Sequence, residues 1–341
     1  MSKAIISPNT SIMPVTAITN MSGHLTVGGC DTVTLAQNFG TPLWIIDEET
    51  IRQAATACME GLSVYPGARA LYAGKAFLCL AMCYIVRQLG MGIDVVSEGE
   101  LYTARESGFP GNLIYMHGNN KSEREIRDAI QTDGVTIVID NLSELWMCAA
   151  AARSMQKQAK ILLRVTPGVE PDTHHYIKTG HAASKFGLSL DDIPKAINFI
   201  AAQGEDLKFE GLHAHIGSQS KEIEPFLEIV DIMAELYEDI RKTYGISLPK
   251  LDLGGGLGIS YTEPDNPVGI FEWARQIATR ALSAFKGRQL PLPELLVEPG
   301  RAIIGTAGVT VYRAGHIKTL PDGKRLIAVD GGMADNPRPM T

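Results

Sequence analysis

The sequence has no run of lysines and arginines, and it has no apolar segment near the roughly 18 residues that a membrane span needs. With a formal net charge of −7, these absences argue against a nucleic-acid or membrane-surface partner. The N-terminal segment contains no continuous apolar stretch, so a secretory signal peptide is not expected. Apolar residues make up 45% of the chain and charged residues 20%, which is ordinary for a soluble globular protein.

Cysteine is also scarce, and no two cysteines form a C-x-x-C pair. The five residues are Cys30, Cys58, Cys79, Cys83 and Cys148. An odd count without a paired motif is typical of reduced, buried thiols in a cytosolic protein. Cys79 and Cys83 are one helical turn apart, but they lack companion ligands for a metal or redox site. The cysteine pattern therefore predicts a cytoplasmic protein.

Eight short β-rich segments alternate with longer segments of helical periodicity. The predicted strands are 68–74, 91–97, 112–118, 134–140, 159–165, 208–217, 250–256 and 294–300. The predicted helices include 121–130, 142–156, 191–202, 223–245 and 270–285, with Ser122, Ser143 and Asp191 as candidate N-caps. Eight strand–helix units within about 230 residues are typical of a closed (β/α)8 barrel.

Unusual polar residues lie at the C-terminal ends of these strands. They are Lys75, Asp94, His117, Asp140, Arg164, His215, the Gly254–Gly256 run and Glu298. In a barrel these ends converge on one mouth, where chemistry occurs, whereas an open doubly wound sheet would spread them along an edge. Periodicity alone does not exclude the open sheet. The polar ends favour an α/β fold built on a TIM-like (β/α)8 barrel.

Two flanks lie outside the predicted barrel of residues 43–305. Residues 1–42 contain short β-like pieces, and residues 306–341 read as antiparallel strands around a turn at "PDGK". A few strands alone are only marginally stable, so the strands of 306–341 should pair with each other or with the N-terminal flank, in a β-domain built from both chain ends. The chain stops at "NPRPMT" without a polar tail or a helix end. We therefore expect the β-domain to be incomplete in this sequence.

Lys75 lies between apolar residues in the stretch "LYAGKAF". A lysine in an apolar pocket at a strand end has its charged form disfavoured. Its neutral amine can then attack a carbonyl and form a Schiff base. The alternative is a lysine that only extends its charged end into solvent at a strand terminus.

Glycines and histidines follow two later strands. In "LDLGGGLGI", three glycines let backbone N–H groups approach a phosphate, although a tight turn without a ligand is the alternative. The dinucleotide pattern G-x-G-x-x-G fails at Ile259. In "GLHAHIGSQ", His213 and His215 share one face of a strand, and Ser218 could add a phosphate donor. Without H-E-x-x-H or a nearby cysteine, stacking on a planar ring is favoured over a metal site.

The stretch "LVEPGRAIIG" ends a buried strand with Glu298 and presents Arg301 after a turn. A carboxylate and an arginine at a barrel mouth suggest a ligand with both charges, and an ion pair that caps the barrel is the alternative. A reactive lysine, a phosphate cradle, a flat imidazole and a carboxylate are together what pyridoxal 5'-phosphate requires. Its aldehyde, phosphate, ring face and ring nitrogen would meet these groups respectively.

Seven motifs, in this order along the chain, resemble the diaminopimelate decarboxylase family. They are "YAGKA", "GIDVVSEGELY", "HGNNKS", "LHAHIGSQ", "LDLGGGLGI", "EPGRAIIG" and "VDGGMADNPRP". The family belongs to the alanine-racemase-like, fold type III, pyridoxal-phosphate enzymes and to the group IV decarboxylases. The resemblance runs from about residue 41 to the last residue.

The resemblance implies pyridoxal-phosphate-dependent decarboxylation of meso-2,6-diaminopimelate to L-lysine and CO2, the last step of lysine biosynthesis. Other decarboxylases of this fold act on ornithine, arginine or carboxynorspermidine, but Arg338 in "NPRP" favours a substrate with a second carboxylate. A non-catalytic pyridoxal-phosphate-binding barrel and a cofactor-free lysine aldolase are the alternatives from other classes. No metal is expected.

The resemblance also assigns roles to residues of this chain. Lys75 matches the lysine that carries the cofactor, with Asp94 near it, and His215 matches the histidine that stacks on the ring. The other cofactor contacts implied are Arg164 near the phenolic oxygen, Ser218, Gly255 and Gly256 at the phosphate, Glu298 at the ring nitrogen, and Pro299, Gly300 and Arg301 along the cofactor. Arg301 and Arg338 match arginines that hold substrate carboxylates.

This sequence departs from the family pattern in two ways. Gly74 stands where a serine is common, which we interpret as local variation in packing. The family also has a late cysteine and tyrosine that complete the site, usually across a homodimer interface, and none of the five cysteines follows the predicted barrel. We therefore expect a truncated chain with little activity of its own.

Overall fold

The computed structural model describes residues 12–167, 185–262 and 265–336. The strands are β1 (Ile18–Thr19), β2 (Leu25–Val27), β3 (Cys30–Asp31), β4 (Leu43–Ile46), β5 (Arg69–Ala73), β6 (Gly92–Val95), β7 (Ile114–Met116), β8 (Thr136–Ile139), β9 (Ala159–Arg164), β10 (Leu207–His213), β11 (Lys250–Asp252), β12 (Glu294–Val297), β13 (Gly308–Val311), β14 (Ala314–Thr319) and β15 (Arg325–Val329). The helices are α1 (Thr32–Phe39), α2 (Glu48–Leu62), α3 (Leu80–Gln88), α4 (Glu98–Glu106), α5 (Glu123–Gln131), α6 (Leu142–Met155), α7 (Ile193–Ala202), α8 (Glu224–Tyr244), α9 (Ile270–Gly287) and α10 (Arg301–Ile304).

The chain divides into two compact units. The first comprises residues 1–53, 260–265 and 303–341, and the second comprises residues 54–259 and 266–302. Among the described residues, no helix is long and apolar enough to cross a membrane.

The second unit is a closed barrel of eight parallel strands, which confirms the predicted fold class. The strands follow the order β10-β11-β12-β5-β6-β7-β8-β9 around the barrel. Because helices cover the outside of such a barrel and side chains fill its interior, its strands are largely buried on both faces and are rich in apolar residues. A buried cluster comes from five of these strands: Leu71, Tyr115, Val138, Leu162 and Leu296.

The five predicted helices are present, but two of the three predicted N-caps are wrong. Ser122 does cap α5, and it forms a capping box with Glu125. Asn141, not Ser143, caps α6, because the Asn141 side chain accepts from the backbone N–H of Glu144. Asp191 lies inside a short 3-10 turn that precedes α7. An amide side chain is as good a cap as a hydroxyl, so Asn141, two residues before Ser143, takes this position.

The first unit contains three small antiparallel sheets. Strands β1, β2 and β3 form one, and β4 pairs with β13 in the second, with Leu43 opposite Val311. Strands β14 and β15 form a hairpin, in which the backbone N–H of Leu320 donates to Lys324 across the turn. The expectation that residues 306–341 contain paired antiparallel strands is confirmed for the hairpin. Every residue of β14 and β15 is exposed.

Truncation of the barrel interior should destabilise the protein strongly. Leu162 is fully buried in β9, so Leu162→Ala should remove about 2–5 kcal/mol from the free energy of unfolding in urea. The matched control is Leu190→Ala, since Leu190 is 43% exposed and its truncation should change the free energy by about 0.5 kcal/mol or less. Equal losses in the two variants would contradict the assignment of the barrel interior as the core.

Candidate active site

Polar side chains follow the barrel strands at one mouth, as the sequence analysis predicted. Asp94 and Arg164 lie within strands, in β6 and β9. His117, Asp140 and Glu298 come directly after β7, β8 and β12. Lys75, His215 and Gly254 each come two residues after the end of a strand. The strands are parallel and closed into a ring, so these positions converge. The structure therefore brings together the predicted residues of the described chain at the carboxyl ends of the strands.

Glu298 is buried at this mouth between two histidine rings. Its Oε1 lies 2.8 Å from His117 Nε2, and its Oε2 lies 3.5 Å from His213 Nε2. The two rings meet edge to face with centroids 4.9 Å apart. Burial alone would raise the pKa of Glu298, but the facing His117 and His213 rings hold that pKa well below its usual range. Glu298 is therefore a carboxylate at neutral pH.

Two further carboxyl groups are buried beside Glu298, and the pKa of each is raised rather than lowered. Burial, with the nearby Glu298 charge, raises the pKa of Asp252 well above its usual range. Burial also raises the pKa of Asp94 to about 6, although the His117 ring opposes this. Like charges held close together do not all ionise, so Glu298 carries the charge and Asp252 keeps its proton. Within the described residues, both carboxyl oxygens of Asp94 lack a hydrogen-bond partner.

The glycine run forms a turn packed against neighbouring backbone. Gly254 and Gly256 have φ values of 65° and 112°, which favour glycine. A Cβ on Gly255 would clash with the carbonyl of Glu298, and a Cβ on Gly256 would clash with the carbonyl of Gly217. In the described chain, no hydrogen bond is donated by the backbone N–H of Gly255 or Gly256. These unpartnered donors at the mouth fit a bound phosphate.

His215 lies beside this turn. The strand ends at His213, so the expectation that both histidines share a face of one strand is wrong. Beyond His213, a Cβ on Gly254 would stand 3.0 Å from the Cβ of His215, so the two segments pack closely at the mouth. Burial lowers the pKa of His215 to about 3, and its Nδ1 accepts from the N–H of Gly217 at 2.9 Å. A neutral imidazole held in this way suits stacking on a planar ring.

Lys75 differs from its predicted environment. It follows β5 in the short 3-10 turn Gly74–Ala76, and its side chain is exposed together with those of Ala76 and Phe77. The expected apolar pocket around Lys75 is therefore wrong for the described chain, because the turn carries the residue out of the barrel interior. Its charge acts across the mouth on Asp94, Glu100 and His215.

The other predicted residues lie around the same mouth. Arg164 Nη1 is 3.9 Å from Asp140 Oδ1, and its guanidinium is 4.5 Å from the centroid of the Phe186 ring. The Pro299 carbonyl accepts from the N–H of Ala73, and a Cβ on Gly300 would meet Ala73 at 2.9 Å. Ser218 is exposed, Arg301 is half-buried at the start of α10, and Arg338 lies outside the described residues.

Two members of the buried cluster have a role that the sequence analysis missed. His213 was considered only as a metal ligand, and Asp252 was not singled out. Both contact or influence Glu298, and the ligand atoms of His117, His213, Asp252 and Glu298 lie within 4.8 Å of one another. Such a group could also hold a divalent cation. An aspartate that ends a strand directly before the glycine run was the available signal for Asp252.

Comparison with known proteins identifies the class. Residues 49–305 match the family described as "Pyridoxal-dependent decarboxylase, pyridoxal binding domain". This match covers most of the chain and the whole mouth of the barrel. The chain is therefore a pyridoxal-dependent decarboxylase, whose cofactor is pyridoxal 5'-phosphate, as the sequence predicted.

Individual relatives identify the family within this class. A diaminopimelate decarboxylase of Synechocystis sp. is 44% identical over 345 residues, covering 98% of this chain and 73% of the relative. One from Bacillus subtilis is 39% identical over 323 residues, covering 94% of this chain and 73% of the relative. A crystal structure of diaminopimelate decarboxylase from M. jannaschii in complex with L-lysine has a TM-score of 0.87 at 33% identity, covering 94% of this chain and 74% of that chain. Within the pyridoxal-dependent decarboxylases, the chain belongs to the diaminopimelate decarboxylase family.

The buried histidines should make stability depend on pH. Burial lowers the pKa of His213 to about 3, below the value near 6.5 of an unfolded histidine. The unfolded state then binds more protons between these values, so this contribution to stability is complete above pH 6.5 and is lost as the pH falls towards 3. We expect His213→Gln to flatten the dependence of unfolding free energy on pH between 6 and 4 by up to about 1.4 kcal/mol per pH unit. Chemical denaturation at each pH measures this.

The control for this experiment is His316→Gln, in the exposed hairpin. Its curve should run parallel to that of the unsubstituted protein. A His213→Gln curve that also runs parallel would show that His213 titrates as an ordinary histidine, contrary to the burial described above.

Proposed function

We propose that the mouth of this barrel is the cofactor site of an enzyme that decarboxylates meso-2,6-diaminopimelate to L-lysine and CO2. One observation carries the proposal, the joining of Glu298 to the glycine turn. The backbone N–H of Glu298 donates to Gly254, and Gly255 packs directly on the Glu298 carbonyl. A buried carboxylate and two unpartnered backbone amides are thus held side by side by two hydrogen-bonded chain segments. A ligand with a ring cation and a phosphate requires such an arrangement.

Each residue then has a separable task. Lys75 is the amine that would hold the cofactor's aldehyde, and its exposure at the mouth leaves it open to a carbonyl compound. The amides of Gly255 and Gly256, with Ser218, would bind the phosphate. His215 would cover one face of the ring, because its neutral imidazole presents a flat surface without a charge.

Glu298 would control a proton at the cofactor's ring nitrogen. A depressed pKa keeps Glu298 ionised, so it stabilises a protonated ring rather than removing the proton. When bound, the cofactor supplies an electron sink for the pair of electrons that the departing carboxylate leaves behind. His117 and His213 keep the Glu298 charge in place, and Arg164 would contact the phenolic side of the ring.

The substrate's distal carboxylate distinguishes meso-diaminopimelate from ornithine. We propose that Arg301 and Arg338 bind this carboxylate, because an arginine pairs with a planar carboxylate through two parallel hydrogen bonds. The crystallised M. jannaschii relative, a diaminopimelate decarboxylase, contains L-lysine, the proposed product. This supports a substrate that becomes L-lysine when it loses one carboxylate.

We also propose that the protein acts in the cytoplasm as a homodimer with shared sites. The free thiols Cys58, Cys83 and Cys148 are buried, and burial raises the pKa of each of them, as expected of unreactive reduced cysteines. The exposed apolar residues Ile317 and Ile327 of the hairpin offer surface for a second copy.

Removal of the Lys75 amine should abolish covalent attachment of the cofactor. Treatment with pyridoxal phosphate and then borohydride should fix one cofactor to a peptide that contains Lys75, as measured by mass spectrometry. Lys75→Ala should lose this label and the accompanying visible absorbance. Lys195→Ala is the control, because Lys195 lies on the exposed end of α7 in an ion pair with Asp192. Full labelling of Lys75→Ala would overturn the assignment.

Substrate preference tests the proposed reaction. The loaded protein should change its absorption spectrum at lower concentrations of meso-diaminopimelate than of L-ornithine or L-arginine. CO2 release should follow the same order. Preference for ornithine or arginine would contradict the proposed substrate while leaving the decarboxylase class intact.

A further inference from the structure

A second buried ion pair lies next to the mouth, and none of the roles above uses it. The side chains of Lys121 and Glu144 are 1% and 3% exposed, and Lys121 Nζ lies 2.5 Å from Glu144 Oε1. The same Nζ donates to the carbonyls of Gly118, at 2.8 Å, and Val138, at 2.6 Å. Its three protons therefore have three acceptors, each on a different element.

These acceptors lie beside residues of the candidate site. Gly118 directly follows His117, which faces Glu298 at 2.8 Å. Val138 belongs to the end of β8, which leads into Asp140, the residue 3.9 Å from Arg164. The backbone N–H of Asp140 also acts on the Glu144 carboxylate. Lys121 thus connects the loop that carries His117 to the strand end that carries Asp140.

The loop after β7 is shaped to lie against this lysine. Gly118 has a φ of 124°, which favours glycine, and a Cβ there would stand 3.4 Å from Lys121 Cγ. The first turn of α6 is also fixed, because the Asn141 side chain accepts a hydrogen bond from the backbone N–H of Glu144. The pair therefore lies where two loops of the mouth are both constrained.

Folding stability alone does not account for a charged pair at this place. Removing two charges from water carries a penalty that their attraction only partly offsets, and apolar side chains of similar volume often stabilise as well or better. The directional contacts of the Lys121 ammonium are what an apolar pair would lack.

We propose that Lys121 and Glu144 are a positioning pair, which fixes His117 against Glu298 and Asp140 against Arg164 at opposite sides of the cofactor site. Its effect on cofactor binding rests on the proposed function. Its effect on the two loops does not, because the contacts belong to the protein alone.

The test compares two double variants in which an ion pair becomes apolar. Lys121→Met with Glu144→Leu removes the proposed pair. Lys250→Met with Glu210→Leu is the control. Lys250 Nζ lies 2.7 Å from the buried carboxylate of Glu210, which also pairs with Lys208, and Lys250 begins β11, at the end of that strand away from the mouth. Three quantities are measured for each: unfolding in urea, amide hydrogen exchange of the cofactor-free protein, and the dissociation constant for pyridoxal phosphate.

We expect the Lys121/Glu144 double variant to fold, to exchange amide hydrogens at least tenfold faster in residues 117–122 and 138–142, and to bind pyridoxal phosphate at least tenfold more weakly. The Lys250/Glu210 double variant should leave the exchange of these segments and the dissociation constant within twofold of the unsubstituted protein. Unchanged exchange and affinity in the Lys121/Glu144 variant would overturn the inference.

Two further outcomes are also decisive. If the unsubstituted protein does not bind pyridoxal phosphate, the proposed function fails, and the exchange measurement alone decides the positioning role. If the double variant does not fold, Glu144→Gln decides instead, because it keeps the shape of the side chain and removes only its charge. Glu144→Gln should then raise both the rate of amide hydrogen exchange and the dissociation constant for pyridoxal phosphate. If neither quantity changes, the inference is overturned.

Discussion

The pairing of the last barrel strand with the first is the constraint on which the site depends. Strand β12 pairs with β5 in parallel, with Leu296 opposite Arg69 and Val297 opposite Ala70. This closure places Glu298 and Gly300, which follow β12, beside Ala73, which precedes Lys75. Two groups more than 200 residues apart in sequence thereby meet at one mouth. An open sheet of the same strands would leave them at opposite edges.

The mouth holds more ionisable groups than a protein of ordinary composition would bury. Asp94, His117, His213, Asp252 and Glu298 are all buried. They are compatible because they do not share the same charge state: Glu298 stays ionised, Asp252 keeps its proton, and His213 is neutral at physiological pH. The orphaned oxygens of Asp94 and ring nitrogens of His213 show that this cluster is incomplete within the described residues. A ligand that supplies polar groups would complete it.

The sequence predicted the barrel well, because each strand is a short apolar run and each run is followed by a polar residue. It predicted the glycine turn for the same local reason, since Gly254 and Gly256 have φ values that favour glycine. The sequence did not predict the features that tertiary contacts determine. The end of β10 at His213 and the exposure of Lys75 in its 3-10 turn are properties of the folded chain. Neither has a local sequence signal.

The buried Lys121 lay within a motif used only for resemblance, because its partner Glu144 is on another helix and no spacing rule connects them. The same limit applies to Asp252, whose neighbours come from several strands. The sequence therefore located residues at strand ends, such as Glu298, but it did not show which side chains they contact across the barrel.

The glycine turn has a consequence for how this gene can vary. Every substitution of Gly255 or Gly256 adds at least a Cβ, and at both positions that atom would fall on a carbonyl of the neighbouring backbone. No size or polarity of side chain avoids the overlap, because the clash lies at the first atom beyond the main chain. Any other residue at these two positions therefore requires the neighbouring backbone to move, whatever substrate the surrounding loops come to select.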